Sequence, residues 1–341
     1  MIILSIDTSC DETAAAVTEG TNILSNIIWS QASLHAEFGG VMPSLAQREH
    51  EAHIDFVIKK ALGAKYKNLE GIDAIAATVG PGLSIALGVG INKAKELAIK
   101  YDKKLIAVNH LEGHLLSSFA NDKLQMTNFK IPALGLIISG GNTQLIQINK
   151  IGDYKILAAT VDDALGEALD KAARMLGLGY PGGAILEKMA KLGNPKEYTL
   201  PVPLKGQEKR MIFTYSGLKT AMMRLVESEK PLNKQKIYDL AACFQDAAFQ
   251  HLLRVVRFAL TNDQQLKAKD LLVGGGVVAN VEVRKRLRKL CNEFGIKVHF
   301  PYSNKLNGDN AAMIGVAASF KYERSEFTGP DNLDREPRAK L

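Results

Sequence analysis

The chain has 341 residues, enough for two domains of ordinary size. Hydrophobic residues make up 46% and charged residues 23%, a globular mixture, and no apolar run reaches the roughly 18 residues a membrane helix needs. The formal charge is +7, and three scattered cysteines (Cys10, Cys243, Cys291) argue for a reducing cytoplasm and against a disulfide framework.

The opening run MIILSIDTSCDET is apolar at first but has no basic lead and no cleavage site. It predicts a strand over Ile2 to Ile6 and not a signal peptide. A polar turn, Asp7 to Thr13, leads to a second strand in AAAVT, and Ile23 to Ser30 reads as a third. After Gly39-Gly40 and Pro43, a helix is predicted from Ser44 to Leu62. Ala74 to Val79 reads as a buried strand, turned by Gly80-Pro81-Gly82 into a helix over Ser84 to Tyr101. Leu105 to Val108 is a further strand, with a helix opening at His110.

The second half follows the same plan. Leu134 to Ser139 predicts a strand, Gly140 to Thr143 a turn, and Gln144 to Ile148 the returning strand. Helices are predicted around Ala164 to Leu176, Gly183 to Lys191, Ser216 to Ser228 and Lys234 to Leu260. Leu271 to Val273 is a strand ending in Gly274-Gly275-Gly276, which opens a helix near Ala279. A last helix spans Asn310 to Tyr322, and the polar, proline-containing stretch beyond Phe327 reads as a mobile tail. Each half therefore has a strand, polar turn and strand early, and a strand, glycine turn and helix late. That pattern implies α/β layers in two related domains with a nucleotide held between them.

Four turns can face an anion. Asp7 to Thr13 and Ser139 to Thr143 are hairpins rich in small hydrogen-bonding groups. Gly80-Pro81-Gly82 and Gly274-Gly275-Gly276 each join a strand to a helix, where free N–H groups and the helix dipole favour negative charge. No G-x4-G-K-[ST] run is present, which excludes a Walker-type site.

His110-Leu111-Glu112-Gly113-His114 puts two imidazoles on one helix face, at i and i+4. The pair reads equally as two metal ligands or as two helix histidines. It is not a zincin motif, because Leu111 stands where that motif needs Glu. Asp309, opening the last helix, is the best third ligand on sequence grounds, and three protein ligands leave positions open for a substrate. His50 and His53, beside Arg48, Glu49 and Glu51, read as a solvated helix face. In DDALGEALDK, Asp163, Glu167 and Asp170 share a face, either as an acidic helix start or as acceptors for ribose hydroxyls. Basic residues gather at Lys93 to Lys104, Lys205 to Arg210 and Arg284 to Lys297; together they make a polyanion partner plausible.

The runs IDTSCDETAAAV, GPGL, NHLEGH, SGGNTQL, DDALGEALDKAARMLGLGYPGG, FTYSGLKTA, GGGVVAN and GDNAAMIG occur in that order. In combination they resemble the tRNA N6-adenosine threonylcarbamoyltransferase family, of bacterial type, over nearly the whole chain. The resemblance implies two tandem actin-like, RNase H-like (ASKHA) domains with an inter-domain nucleotide and metal cleft. Residues 1–128 would form the first domain, with a helix over 309–323 packed back on it. Residues 129–308 would form the second, and 324–341 a polar tail.

The resemblance also implies the activity: transfer of threonylcarbamoyl from threonylcarbamoyl-AMP to the N6-amine of the adenosine 3′ of the anticodon, in tRNAs reading codons that begin with A. His110, His114 and Asp309 would hold one Fe2+ or Zn2+. Ile137, Ile138, Ser139, Gly140, Gly141, Asp170, Gly183 and Asn280 would bind the adenylate. No residue is named as general base. Implied partners are tRNA, a scaffold paralogue, a small ATPase and an upstream synthase of the adenylate, with no membrane. The chain departs from the family pattern at Ser44, Asn142, Gly308, Val281 and Glu282, while the implied metal ligands are intact.

Three other readings share some of these features. A carbamoyltransferase acting on a small hydroxylated acceptor would have the same metal pair and turns, and would lack salt-sensitive tRNA binding. A sugar or acetate kinase would hold Mg2+ with carboxylates and water and would not need the histidines. A non-enzymatic scaffold would tolerate their loss.

Overall fold

A nearly continuous apolar run up to the first charge makes IILSID a strand, β1 (Ile2–Asp7), buried on both faces from Ile3 onward. It pairs antiparallel with β2 (Glu12–Glu19), and β2 with β3 (Asn22–Ser30). Two helices follow, α1 (Ala32–Ala36) and α2 (Pro43–Leu62), the latter with proline in its first turn. The chain continues through β4 (Ala74–Gly80), α3 (Ser84–Tyr101), β5 (Lys104–Asn109) and α4 (His110–Leu116). Strands β4 and β5 join β1 in parallel, giving the order β3-β2-β1-β4-β5.

The computed structural model describes residues 1–121, 129–262 and 268–341. It divides into one unit of Met1–Phe129 with Phe300–Leu341 and a second of Lys130–His299. The expected boundary at residue 128 lies outside the described residues. Residues 300–308, expected in the second half, group with the first unit, because the second sheet ends at His299.

The second unit comprises β6 (Ala133–Ile138), β7 (Thr143–Lys150), β8 (Asp153–Thr160), α5 (Leu165–Met175), α6 (Gly183–Ala190), β9 (Ile212–Phe213), α7 (Ser216–Ser228), α8 (Lys234–Asn262), β10 (Asp270–Gly274), α9 (Val281–Glu293) and β11 (Lys297–His299). Its sheet order is β11-β10-β6-β7-β8-β9. Taken from β8 to β11, this is the order of the first sheet, with the same antiparallel and parallel pairings. The repeat rests on β8 and β11, which the sequence pattern did not predict. β8 buries little and β11 is three residues long.

In the first unit, α2 and α3 cover one sheet face. Ile54, Val57, Ile58, Leu87, Ile91 and Ala94 pack there on Leu4, Ile6, Ala15, Val17 and Ile75. The other face takes α10 (Ala311–Glu323), buried from Ala311 to Phe320. A helix apolar all round is a core helix. Gly315 permits its approach, since a Cβ there would stand 2.7 Å from Thr18 and 3.0 Å from the Ser5 hydroxyl. Among the described residues, no helix is long and apolar enough to cross a membrane.

The expected mobile tail is instead bound to the first unit. Leu333 is buried in the core cluster under α2 and α3. The Glu336 N–H donates to the Val79 carbonyl (2.6 Å), Gly82 N–H to the Pro337 carbonyl (3.2 Å), and the Asn109 amide to the Lys340 carbonyl (3.0 Å). Composition suggested mobility, but backbone donors and acceptors at the strand ends hold the segment.

In the second unit, His251 of α8 is buried beside Phe213 and Tyr215, and its Nε2 accepts the Thr214 N–H at 3.1 Å. Burial pulls its pKa down to about 4 from an ordinary 6.5. The unfolded chain therefore binds this proton first as pH falls. The neutral ring's contribution, on the order of 3 kcal/mol, is present above pH 6.5 and is lost between about 6.5 and 4. Urea midpoints of the second unit are expected to fall across that window and to fall less in His251→Gln. Equal slopes for the two proteins would refute the assignment.

Candidate metal centre and ligand pocket

Helix α4 begins where β5 ends. Asn109 closes the strand and caps the helix, its Oδ1 accepting the N–H groups of Leu111 (2.8 Å) and Glu112 (3.4 Å). That cap fixes the direction of a seven-residue helix whose every residue is buried. His110 and His114 share one face, rings 4.7 Å apart and nearly perpendicular. Asn310 caps α10 through the Met313 N–H (3.0 Å), which sets Asp309 just ahead of that helix. The Oδ1 of Asp309 lies 3.4 Å from His110 Nε2 and 3.1 Å from His114 Nε2. The three candidate ligand atoms all fall within 4.8 Å of one another.

Gly113 makes this meeting possible. A Cβ there would stand 2.9 Å from Ile314 and 3.2 Å from Met313 on α10. Gly113→Val is expected to push α10 and Asp309 away. Overpacking of this kind costs about 1–3 kcal/mol, and bound metal should fall to a minority of chains after dialysis. Full metal content in this variant would show that the crossing does not set the ligand spacing.

The donor set fits a divalent cation. His114 is fully buried, yet neither ring nitrogen makes a hydrogen bond. His110 Nδ1 and Asp7 Oδ2 are also without one, 3.6 Å apart. Each buried unsatisfied polar atom costs about 1–3 kcal/mol, a cost that a cation bound between these groups would offset. Two imidazoles and a carboxylate suit iron or zinc better than magnesium. Burial would lower the His110 pKa, but Asp309 and Asp7 outweigh it and hold the ring well above its ordinary value. Burial opposes ionisation of Asp309, and the two imidazoles hold it well below the usual carboxylate range. Asp7 was read from sequence only as a turn residue. Its place beside His110 depends on sheet pairing, and no local spacing signals it.

The solvated reading of His50 is wrong. His50 is fully buried, hydrogen-bonded through Nδ1 to the Thr13 hydroxyl (2.8 Å) and through Nε2 to the Cys10 carbonyl (3.1 Å). It braces the Asp7 to Thr13 turn from below. Its spacing from buried Ile54, Val57 and Ala61 on α2 was the signal that could have found it. His53 is half-buried and stacks on Trp29.

Gly80-Pro81-Gly82 does not present a free anion site either. Its Gly82 N–H is taken by Pro337, and a Cβ on Gly80 would collide with the Glu336 carbonyl.

In the second unit the two remaining turns border a cavity of about 260 Å³. Gly140, Asp170, Gly183 and Asn280 line it together, with Glu187 and Gly276. Ser139 and Gly141 belong to the same turn as Gly140. Ile137 and Ile138 are buried in β6. A Cβ on Gly140 or Gly141 would meet nothing within 4 Å, so that turn is open, whereas a Cβ on Gly275 (φ +102°) would stand 2.5 Å from the Ile138 carbonyl oxygen, so only glycine fits there.

Asp170 and Asn280 also build the walls. Asp170 Oδ1 accepts the Gly182 and Gly183 N–H groups (2.8 and 2.7 Å) that open α6. Asn280 caps α9 through Glu282 and Val283, and its amide donates to Gln245 (2.8 Å).

The rest of the acidic run is structural. Asp163 sits between Lys171 and Lys219, each at 2.6 Å, and Glu167 pairs with Lys171 at 2.8 Å. Asp162 accepts the Tyr215 N–H (2.8 Å), the Ser216 hydroxyl (2.7 Å) and the Thr214 hydroxyl. Of the departures from the family pattern, Ser44 and Gly308 are exposed and Asn142 closes the Ser139 turn (2.8 Å).

Comparison with known proteins adds to this geometry. A family profile described as tRNA N6-adenosine threonylcarbamoyltransferase matches residues 22–316. The protein of that description from Bartonella tribocorum is 44% identical, aligned over 100% of this chain and 94% of its own length. Its counterpart from Chelativorans sp. is 46% identical, over 94% of this chain and 89% of its own. Among solved structures, T. kodakarensis HypF has a TM-score of 0.58 at 15% identity, covering 97% of this chain and 48% of that one. The activator of 2-hydroxyisocaproyl-CoA dehydratase from Clostridium difficile scores 0.53 at 14% identity, covering 96% and 97%. These two share the fold of two tandem ASKHA domains. On the extent of the family match and the identity to full-length relatives, the chain belongs to the tRNA N6-adenosine threonylcarbamoyltransferase family.

Proposed function

We propose that the chain transfers the threonylcarbamoyl group of threonylcarbamoyl-AMP to N6 of the adenosine 3′-adjacent to the anticodon in tRNAs reading ANN codons. The observation that carries this reading is the cluster of buried His110 and His114 with half-buried Asp309, its imidazole nitrogens without hydrogen bonds, in a chain similar end to end to named threonylcarbamoyltransferases. One Fe2+ or Zn2+ held there would polarise and anchor the acyl phosphate end of the substrate.

The protein's own groups do the rest. The Asp7 carboxylate faces His110 Nδ1 at 3.6 Å and adds negative charge on that side of the ring, and the Asn109 cap keeps both rings on one face. The open Gly140-Gly141 turn and the N-terminus of α6, set by Asp170, are suited to the phosphate and ribose of the adenylate. The N6 amine attacks the carbamoyl carbonyl carbon, the bond from that carbon to the phosphate oxygen breaks, AMP leaves, and the amine proton passes to a base or water. The substrate is a mixed anhydride, so no covalent enzyme intermediate is required and positioning dominates. The scaffold paralogue, the small ATPase and the adenylate synthase are proposed partners.

The test is AMP release from threonylcarbamoyl-AMP with partners present. Release should rise on addition of an ANN-reading tRNA and not of one whose position 3′ of the anticodon is a pyrimidine. Equal release with a small hydroxylated acceptor would favour the carbamoyltransferase alternative.

A further inference from the structure

The chain has a single tryptophan, Trp29, and it lies on β3, an edge strand of the first sheet. Its indole stacks on the imidazole of His53, with centroids 4.0 Å apart and planes 12° from parallel, and the residue is still 38% exposed. The His53 ring is held in place, because Nδ1–H donates to the Glu49 carbonyl at 2.9 Å. The pair is therefore a fixed aromatic plane on the surface.

Its position ties it to the candidate metal centre. Trp29 is directly opposite Thr13, and Ala14 is opposite Asp7. Two strand spacings, about 10 Å, thus separate the Trp29 and Asp7 backbones at one end of the sheet. Beneath them His50, one turn before His53 on α2, bonds to Thr13 and Cys10. One rigid set of contacts supports the aromatic plane and the turn that carries Asp7. Nothing in the metal chemistry or in the core calls for an exposed stacked indole there.

We propose that the Trp29–His53 pair is a stacking platform for an unpaired base of the anticodon loop. The inference rests on the reading that tRNA is the acceptor. RNA loops are bound through splayed bases laid on aromatic rings, and any base offers a π-face. A platform here holds a loop nucleotide near the target adenosine without reading its identity.

The single tryptophan makes the test direct. The full-length chain is titrated with an RNA hairpin carrying an ANN-type anticodon loop, and Trp29 emission is followed. The expected result is saturable quenching by the hairpin and little by a blunt duplex without a loop. Trp29→Phe should bind within about threefold of wild type and Trp29→Ala roughly tenfold more weakly, both with unchanged threonylcarbamoyl-AMP binding. Hairpin binding with unchanged emission and an undiminished Trp29→Ala affinity would overturn the platform and leave the tRNA reading standing. Equal quenching by the duplex, or by a protein partner without RNA, would also overturn it. A wild-type chain that binds no tRNA would remove both.

Discussion

Replacing His110 and His114 together with alanine is expected to abolish bound iron or zinc and to lower tRNA modification by about a thousandfold, the several kcal/mol a polarising cation supplies. The chain should still fold, because α4 is held by the Asn109 cap and by its packing under α10. Ligand-induced stabilisation separates site loss from unfolding. Added Zn2+ raises the melting point of any fold that binds it, by an amount set by affinity and concentration. The wild type should respond and the double variant should not. Retained metal and retained modification together would return the histidines to the status of two core side chains.

The second large effect concerns stability. Cutting the chain after Phe327 removes Leu333 from the first unit's core and strips the bonds to Val79, Gly82 and Asn109. Leu333→Ala alone should cost about 2–5 kcal/mol, the range for a buried leucine. The truncation should cost more, since it also exposes the Gly80 turn and takes a hydrogen bond from the residue that caps α4. Metal retention is expected to weaken with it. Denaturant midpoints of wild type, Leu333→Ala and the truncated chain would check this. An unchanged midpoint in the truncated chain would show that the segment is only loosely held.

Local chemistry in the sequence was readable, and long-range pairing was not. The His110 and His114 spacing is set within one helical turn, so the shared face was visible from the residues alone. The glycine turns were visible because each ends an apolar run. The contact between Asp7 and His110 joins residues that only β1-β4-β5 pairing brings close, and no periodicity encodes it. β8 was missed because its alternation is faint, and without it the repeat of the two sheets is incomplete. His50 was misread because its charged neighbours suggested water, while the burial pattern of α2 places it inward. The tail was misread for a related reason: its polar side chains say nothing about the backbone bonds that fix it.

Nucleoside mass spectrometry reads the transfer to tRNA itself. An ANN-reading tRNA transcript is incubated with the chain, the adenylate synthase, the paralogue and ATPase of the same species, threonine, bicarbonate and ATP, then digested. Threonylcarbamoyladenosine is expected in the digest, dependent on this chain and absent with His110→Ala/His114→Ala. Unmodified adenosine with every component present, or equal product from the double variant, would contradict the proposed transfer.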